Sequence, residues 1–195
     1  MSSTLRVVVC TLLAVAAGPV LAHSVEGVGG GFAAGFLHPL LGPDHVAAMV
    51  AVGLWGAFLG QPALWVLPVV FPLVMTVGGA LGLLGVPLPG VEIGIALSAV
   101  LLGAMVALAV RPPLWVAGAI VGVFAVFHGH AHGTELPHAA NPIVYSLGFV
   151  VSTGLLHLGG IGLGALVRSS AGRVAVRACG AAIALAGLVF LRAAL

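Results

Sequence analysis

The sequence predicts an all-α integral membrane protein: a compact bundle of six transmembrane helices after a cleavable signal peptide, with the first helix interrupted at Gly42-Pro43. Of the 195 residues, 62% are hydrophobic and only 5% are charged, against about a quarter in soluble domains. The apolar residues form blocks long enough to cross a bilayer, and proline, glycine and arginine separate them. The alternation of apolar and polar residues that is typical of barrel strands does not appear.

This composition excludes several classes of protein. Four acidic and six basic residues are too few to keep a globular surface in water, and a disordered chain would be polar and charged. Without a basic patch, we expect no nucleic-acid partner; the expected surroundings are a lipid bilayer. The two cysteines, Cys10 and Cys179, lie far apart, which predicts neither a disulfide framework nor a cysteine metal cluster.

Residues 1–22 have the features of a secretory signal peptide. Arg6 precedes the apolar run 7–17, and Val20-Leu21-Ala22 has the small-x-small form of a cleavage site. The alternative is an uncleaved first span. Cleavage after Ala22 makes His23 the mature N-terminus, whose free amine and imidazole form a chelating pair for a metal. Residues 23–195 then form a single transmembrane domain.

Six apolar blocks after the leader reach the length of about 20 residues that a transmembrane helix needs. The first block is too long for one straight span, and Pro43 should break it, because proline cannot donate to the carbonyl four residues back. This block is therefore either two spans or one crossing with an interrupted first half. The blocks are residues 27–60, 63–85, 92–110, 114–132, 143–167 and 174–195.

The arginines favour six crossings over seven. With a periplasmic mature N-terminus, six crossings place four arginines in cytoplasmic loops, which obeys the positive-inside rule, whereas seven place them all outside. These arginines are Arg111, Arg168, Arg173 and Arg177. Glycines spaced four apart predict close helix packing in lipid. They are Gly27, Gly31 and Gly35, Gly78 and Gly82, Gly118 and Gly122, and Gly160 and Gly164.

The first candidate metal site is the segment His38-Pro-Leu-Leu-Gly-Pro-Asp44-His45. Imidazole and carboxylate groups are ligands that divalent transition metals accept. The segment coincides with the predicted helix break, where freed backbone carbonyls favour cations, as in many transporters. Ionisable groups within a span are costly and therefore indicate function. The alternative is a structural Asp–His pair in which Asp44 caps the second half-helix.

The second candidate site is rich in histidine: Phe127-His128-Gly-His130-Ala-His132-Gly-Thr-Glu135-Leu-Pro-His138. On a continuous helix, the i, i+4 and i+7 spacing places His128, His132 and Glu135 on one face, whereas His130 points nearly the opposite way. All of them are candidate metal ligands, with His138 the weakest. The alternatives are a His-rich loop without function and a proton relay.

Glu92, His157 and His23 are weaker candidates. With six crossings, both clusters lie toward the outer side, where they can form one site or two successive sites. Glu92 begins the third span at that side, as an interfacial acid or as part of the access path. His157 lies in the inner half of the fifth span. It either hydrogen-bonds to a neighbouring helix or binds the ion at a later step.

These motifs resemble those of the HupE/UreJ family of nickel/cobalt permeases over nearly the whole chain. Five residues separate His38 from Asp44, whereas the related large nickel/cobalt transporters carry four, so the spacing indicates HupE/UreJ. The matching segments are Leu21-Ala22-His23, His38-Pro39-x-x-Gly42-x-Asp44-His45, Gly90-Val91-Glu92, the run 127–133 with Glu135, and Leu156-His157.

The resemblance implies a transporter rather than an enzyme. It implies uptake of Ni²⁺ or Co²⁺ as substrate, without a prosthetic group, from the periplasm across the inner membrane of a Gram-negative bacterium. The metal would supply hydrogenase, urease or cobalamin synthesis. Because no Gly-x-x-x-x-Gly-Lys-Ser/Thr loop occurs, ATP-driven transport would need another subunit.

Two other functions are compatible with the histidines. One is a membrane redox protein that holds a metal or haem, and the other is an accessory protein that binds metal without transporting it. The first class usually has several His-x-x-His-His boxes and the second a soluble domain, and the sequence has neither. Imidazole and carboxylate serve Ni²⁺ and Co²⁺ alike, so the residues do not select between them.

Overall fold

The computed structural model describes residues 30–136 and 141–195. The predicted signal peptide, its cleavage site, His23 and His138 lie outside the described residues. Within these two ranges every regular element is helical and there is no strand, as predicted. The helices are α1 (Gly30–Leu41), α2 (Pro43–Leu59), α3 (Ala63–Leu83), α4 (Val91–Ala107), α5 (Leu114–Thr134), α6 (Pro142–Gly164) and α7 (Ser170–Ala194), with a 3₁₀ helix (Ala165–Arg168) before α7.

These helices occupy the six predicted apolar blocks. Four are long and apolar enough to cross a membrane: α3, α5, α6 with its 3₁₀ extension, and α7. The bent pair α1 and α2 makes a fifth candidate. At 17 residues, α4 is shorter than a full span. The chain is thus a multi-pass membrane protein, and six crossings stay a prediction.

The interruption at Gly42-Pro43 is confirmed. α1 ends one residue before Gly42, α2 begins at Pro43, and the two helices are bent by 79°. Gly42 is extended, with φ −87° and ψ 104°, which is the conformation that a following proline favours. Since Pro43 has no N–H, the carbonyl of Pro39 loses its helical partner and the helix ends there.

α2 lies at the centre of the bundle, in contact with α3, α4, α6 and α7. Trp55 of α2 is fully buried, and its Nε1–H donates to the carbonyl of Val110 at 3.1 Å, so its one polar atom is satisfied. Large apolar side chains also cover the outer surface: Leu73 is 62% exposed and Trp115 76%. An apolar exterior of this kind is suited to contact with lipid.

Glycines bring α3 and α5 into backbone contact. A Cβ atom at Gly78 would overlap the carbonyl of Val126, and one at Gly129 would overlap the carbonyl of Met75, so the predicted packing through Gly78 is confirmed. For Gly118 the same prediction is wrong, because no described residue comes within 4 Å of a Cβ atom there. The close approach therefore involves the C-terminal half of α5, which carries the histidine-rich motif.

Candidate metal centre

The break between α1 and α2 places two imidazoles side by side. His38 lies in the last turn of α1 and His45 in the first turn of α2, with ring centroids 5.9 Å apart. On a straight helix, residues seven apart are separated by about 10 Å along the axis. The bend therefore brings the two rings together. The His38 side chain is 31% exposed and that of His45 only 9%.

Asp44 orients the ring of His45. Its Oδ1 accepts hydrogen bonds from the backbone N–H of His45 at 2.8 Å and from Nδ1 at 2.9 Å. Because a carboxylate oxygen only accepts, Nδ1 carries the proton and Nε2 keeps its lone pair. A carboxylate in this position is typical of metal-binding histidines, since it fixes the tautomer. Asp44 thus contacts the side of the ring opposite the free Nε2.

α5 supplies the other half of the cluster. His128 and His132 share one face of α5, as their spacing predicts, with ring centroids 4.8 and 4.7 Å from that of His45. The ring of His132 also lies 4.6 Å from that of His38. Single ring nitrogens of His38, His45 and His132 lie within 4.8 Å of one another. We call these three residues the three-histidine group; it joins the two motifs of the sequence.

Several buried nitrogens in and beside this group have no hydrogen-bond partner among the residues that the structure describes. They are Nε2 of His45, Nδ1 of His128 and both ring nitrogens of His132. A buried polar atom left unpaired costs about 1–3 kcal/mol, so native proteins keep few of them. Their concentration at one point indicates a place where a ligand supplies the missing contacts.

Two carboxylates lie near the solvent-exposed end of the cluster. Glu135 directly follows α5, and its Oε2 is 3.4 Å from Nε2 of His38. Partial burial raises the pKa of Glu135, and the nearby charge of Glu92 adds to the rise. Glu92 is exposed in the first turn of α4. Among the described residues, the acids thus gather at the end of the molecule that carries the three-histidine group.

The structure does not bring His130 into this group. As its spacing predicts, it points away from His128 and His132. Its Nε2 donates a hydrogen bond to the backbone carbonyl of Val86 at 2.8 Å, in the connection between α3 and α4. This contact ties the end of α5 to that connection.

His157 lies deeper in the bundle than the three-histidine group. It is eight residues, about 12 Å along α6, beyond Phe149, whose ring contacts that of His132 at 3.9 Å. The ring of Phe71 lies 5.4 Å from both His128 and His157, between the two. Both ring nitrogens of His157 are buried, and the backbone carbonyl of Pro68 in α3 lies beside the ring.

Sequence reasoning missed residues that contact the histidines. Among them are Phe149, which packs against His132, Phe71, and Ser98, whose Oγ lies 2.9 Å from Nε2 of His128. A single phenylalanine or serine in an apolar helix carries no spacing signal, because its function comes from a neighbour on another helix. The only available signal for Ser98 is that a hydroxyl in a span needs a partner.

Comparison with known proteins identifies the family. The model of the family described as HupE / UreJ protein matches residues 11–190. Protein HupE of Rhizobium leguminosarum bv. viciae is 47% identical over 184 residues, which cover 94% of this chain and 96% of that protein. No solved structure matches the chain. The chain belongs to the HupE/UreJ family, as its motifs indicate.

Proposed function

We propose that this protein is a permease that takes up divalent nickel or cobalt ions from the periplasm across the bacterial inner membrane. The observation that carries the proposal is the convergence of ring nitrogens from His38, His45 and His132 within 4.8 Å. Membership in the HupE/UreJ family supports it. In this proposal residues 1–22 are a cleaved signal peptide and residues 23–195 a single transport domain with a periplasmic N-terminus.

The three-histidine group suits a divalent transition metal. Bonds of about 2.0–2.1 Å from imidazole nitrogens to such an ion hold two nitrogens at most about 4.2 Å apart. The group, with its nitrogens within 4.8 Å, needs a shift of less than about 1 Å to bind one ion. Imidazole is accepted by nickel and cobalt alike. A site whose nitrogens must draw together to bind the ion can also move apart to release it, as a permease requires.

The candidate ligands follow one another in order of increasing burial. A hydrated ion meets half-exposed side chains first and exchanges its water for imidazole as it moves inward. The exposed Glu92 adds negative charge at the same end, which raises the local concentration of cations. From most exposed to most buried, the series is Glu135, His38, His45 and His132, and it ends with His128 and His157, which are both almost completely buried.

Phe71 separates the outer part of this series from its inner end. Its ring lies 5.4 Å from His128 on one side and from His157 on the other, and it is fully buried. An aromatic ring offers no ligand to an ion that has lost its water, so transfer to His157 requires the ring to move. We infer that Phe71 is the barrier that keeps the path closed between transport events.

The imported metal would supply hydrogenase, urease or cobalamin synthesis, the uses that the family resemblance implies. The sequence contains no nucleotide-binding loop, so we expect proton coupling or facilitated flow to drive uptake. Nickel and cobalt are tested side by side, because imidazole does not select between them.

Accumulation of radioactive nickel and cobalt in cells that express the full chain tests this function. We expect the wild type to accumulate at least one ion, and His132→Ala to abolish uptake at unchanged membrane abundance. Cys179→Ala, on α7, is the control and should transport normally. A wild type that accumulates neither ion would refute the permease, and normal uptake by His132→Ala would refute the three-histidine group.

A further inference from the structure

The hydroxyl of Ser98 lies between a helix carbonyl and an imidazole. Ser98 is in α4 and fully buried, as is His128 of α5. Its Oγ lies 2.6 Å from the carbonyl oxygen of Ile95 and 2.9 Å from Nε2 of His128. Both separations are hydrogen-bond distances, so the hydroxyl takes part in two bonds at once.

Counting protons fixes the direction of both bonds. A serine hydroxyl has one proton to donate, and a carbonyl oxygen can only accept. The proton of Ser98 therefore goes to Ile95, and the bond to the ring must be donated by Nε2–H of His128. A neutral imidazole carries one proton, so Nδ1 of His128 is left with a lone pair. That Nδ1 is buried and has no hydrogen-bond partner in the described part of the chain.

We propose that Ser98 is a positioning residue that holds His128 as the Nε2–H tautomer and thereby makes Nδ1 its metal-binding atom. The metal-binding part rests on the proposed function; the tautomer does not. His128 would then be the fourth imidazole, which takes the ion from His45, whose ring centroid is 4.8 Å away. His45 binds through Nε2 because Asp44 holds Nδ1, so the two rings offer opposite nitrogens.

The groups that hold the two rings also differ in charge: Asp44, on His45, is a carboxylate, whereas Ser98, on His128, is neutral. A carboxylate on an imidazole N–H raises the basicity of the other nitrogen, whereas a hydroxyl does so less because it is neutral. His128 should therefore bind the ion more weakly than His45 does. Weaker binding at the deeper residue suits a path that must pass its ion onward, since a permeating ion has to leave each site.

Nitrogen NMR of the metal-free, full-length protein in detergent, with ¹⁵N-labelled histidine, tests the tautomer. The shifts of the two ring nitrogens distinguish Nε2–H from Nδ1–H, and His128→Gln identifies the resonance by its loss. We expect Nε2–H at His128 in the wild type and a shift toward the other tautomer in Ser98→Ala. An Nδ1–H wild type, or an unchanged tautomer in Ser98→Ala, overturns the proposal.

Uptake kinetics with cobalt and nickel test the consequence. Removal of such a partner typically costs 10–100-fold in metal affinity, so Ser98→Ala should raise KM by about that factor. Its abundance in the membrane should stay that of the wild type. Ser98→Thr, whose hydroxyl can bond to the same Ile95 carbonyl, should restore the wild-type tautomer, and its KM should return toward the wild-type value.

The two experiments separate this inference from the proposed function. If the wild type transports neither nickel nor cobalt, the proposed permease function is refuted, whereas NMR still decides the tautomer of His128. If the wild type transports and Ser98→Ala keeps the wild-type KM, the permease stands and the role of Ser98 is refuted. A purely structural hydroxyl would lower abundance or thermal stability without moving KM.

Discussion

At the scale of single residues, the position of one proton decides which atom of an imidazole can bind an ion. The sequence predicts His38, Asp44 and His45 together because three ionisable groups are rare in an apolar segment. The sequence predicts that Asp44 is a metal ligand in the same way as the two histidines. Only the structure shows that its Oδ1 holds both N–H groups of His45, since that depends on side-chain rotamers.

Asp44→Asn should lower uptake without abolishing it. The amide oxygen of asparagine can still accept both hydrogen bonds from His45, whereas the negative charge that strengthens Nε2 as a ligand is lost. We expect initial rates of nickel uptake to fall about 10–100-fold, the usual effect of changing a group that orients a ligand. Asp44→Ala should cost more, because the ring of His45 is then free to turn.

His132→Ala is the reference for complete loss in the same assay. If Asp44→Asn is as inactive as His132→Ala at equal membrane abundance, Asp44 binds the ion directly. The carboxylate would then be a member of the metal site, as the sequence predicts.

His130→Gln should keep at least about half of the uptake rate, because Nε2 of His130 donates to the carbonyl of Val86 and a glutamine amide can make the same bond. Initial rates and membrane abundance are measured together with those of His132→Ala, which lies two residues away on α5. Loss of uptake in His130→Gln at normal membrane abundance would instead indicate that His130 binds the metal, as the sequence predicts.

At the scale of helices, the break was predictable and the pairing was not. Pro43 removes a backbone donor and so dictates where α1 ends, whatever surrounds it. Glycine stripes predict that helices pack closely but not which helices meet. Gly78 packs against α5, whereas Gly118, which has the same spacing pattern, has no close neighbour within residues 30–136 and 141–195. Which helix packs against a glycine stripe depends on the arrangement of the whole bundle, which the local sequence does not determine.

Gly129→Ala should destabilise the protein, and Gly118→Ala should not. Both glycines lie on α5, but a Cβ atom at Gly129 would overlap the backbone of Met75, whereas one at Gly118 would meet none of the described residues within 4 Å. Overpacking of this kind costs about 1–3 kcal/mol, while alanine in an open helix position is favoured by up to about 1 kcal/mol. Thermal unfolding in detergent should show a lower Tm for Gly129→Ala only; equal Tm values would contradict the backbone contact.

At the scale of the whole molecule, the candidate ligands and the loop arginines occupy opposite ends. The guanidinium of Arg111 lies 4.7 Å from the centre of the Phe58 ring, at the C-terminal end of α2, whereas His45 lies at its N-terminal end. Arg177 donates to the carbonyl of Ala107, the last residue of α4, at 2.7 Å. The positive-inside rule predicts this polarity. With an outer N-terminus the rule favours six crossings over seven, but it does not show that the short α4 and the broken first span each cross completely.

Reporter fusions decide both the orientation and the number of crossings. With six crossings and an outer N-terminus, fusions after Pro112 and Ser170 should be cytoplasmic, so alkaline phosphatase is inactive there and a fluorescent reporter is active. A fusion after Gly90, which precedes α4 at the end that carries Glu92, should give the reverse result and serves as the matched control. We expect this orientation because the cytoplasmic loops of membrane proteins carry an excess of lysine and arginine. Periplasmic signals at both Pro112 and Ser170 would restore the seven-crossing topology and place the three-histidine group on the cytoplasmic side.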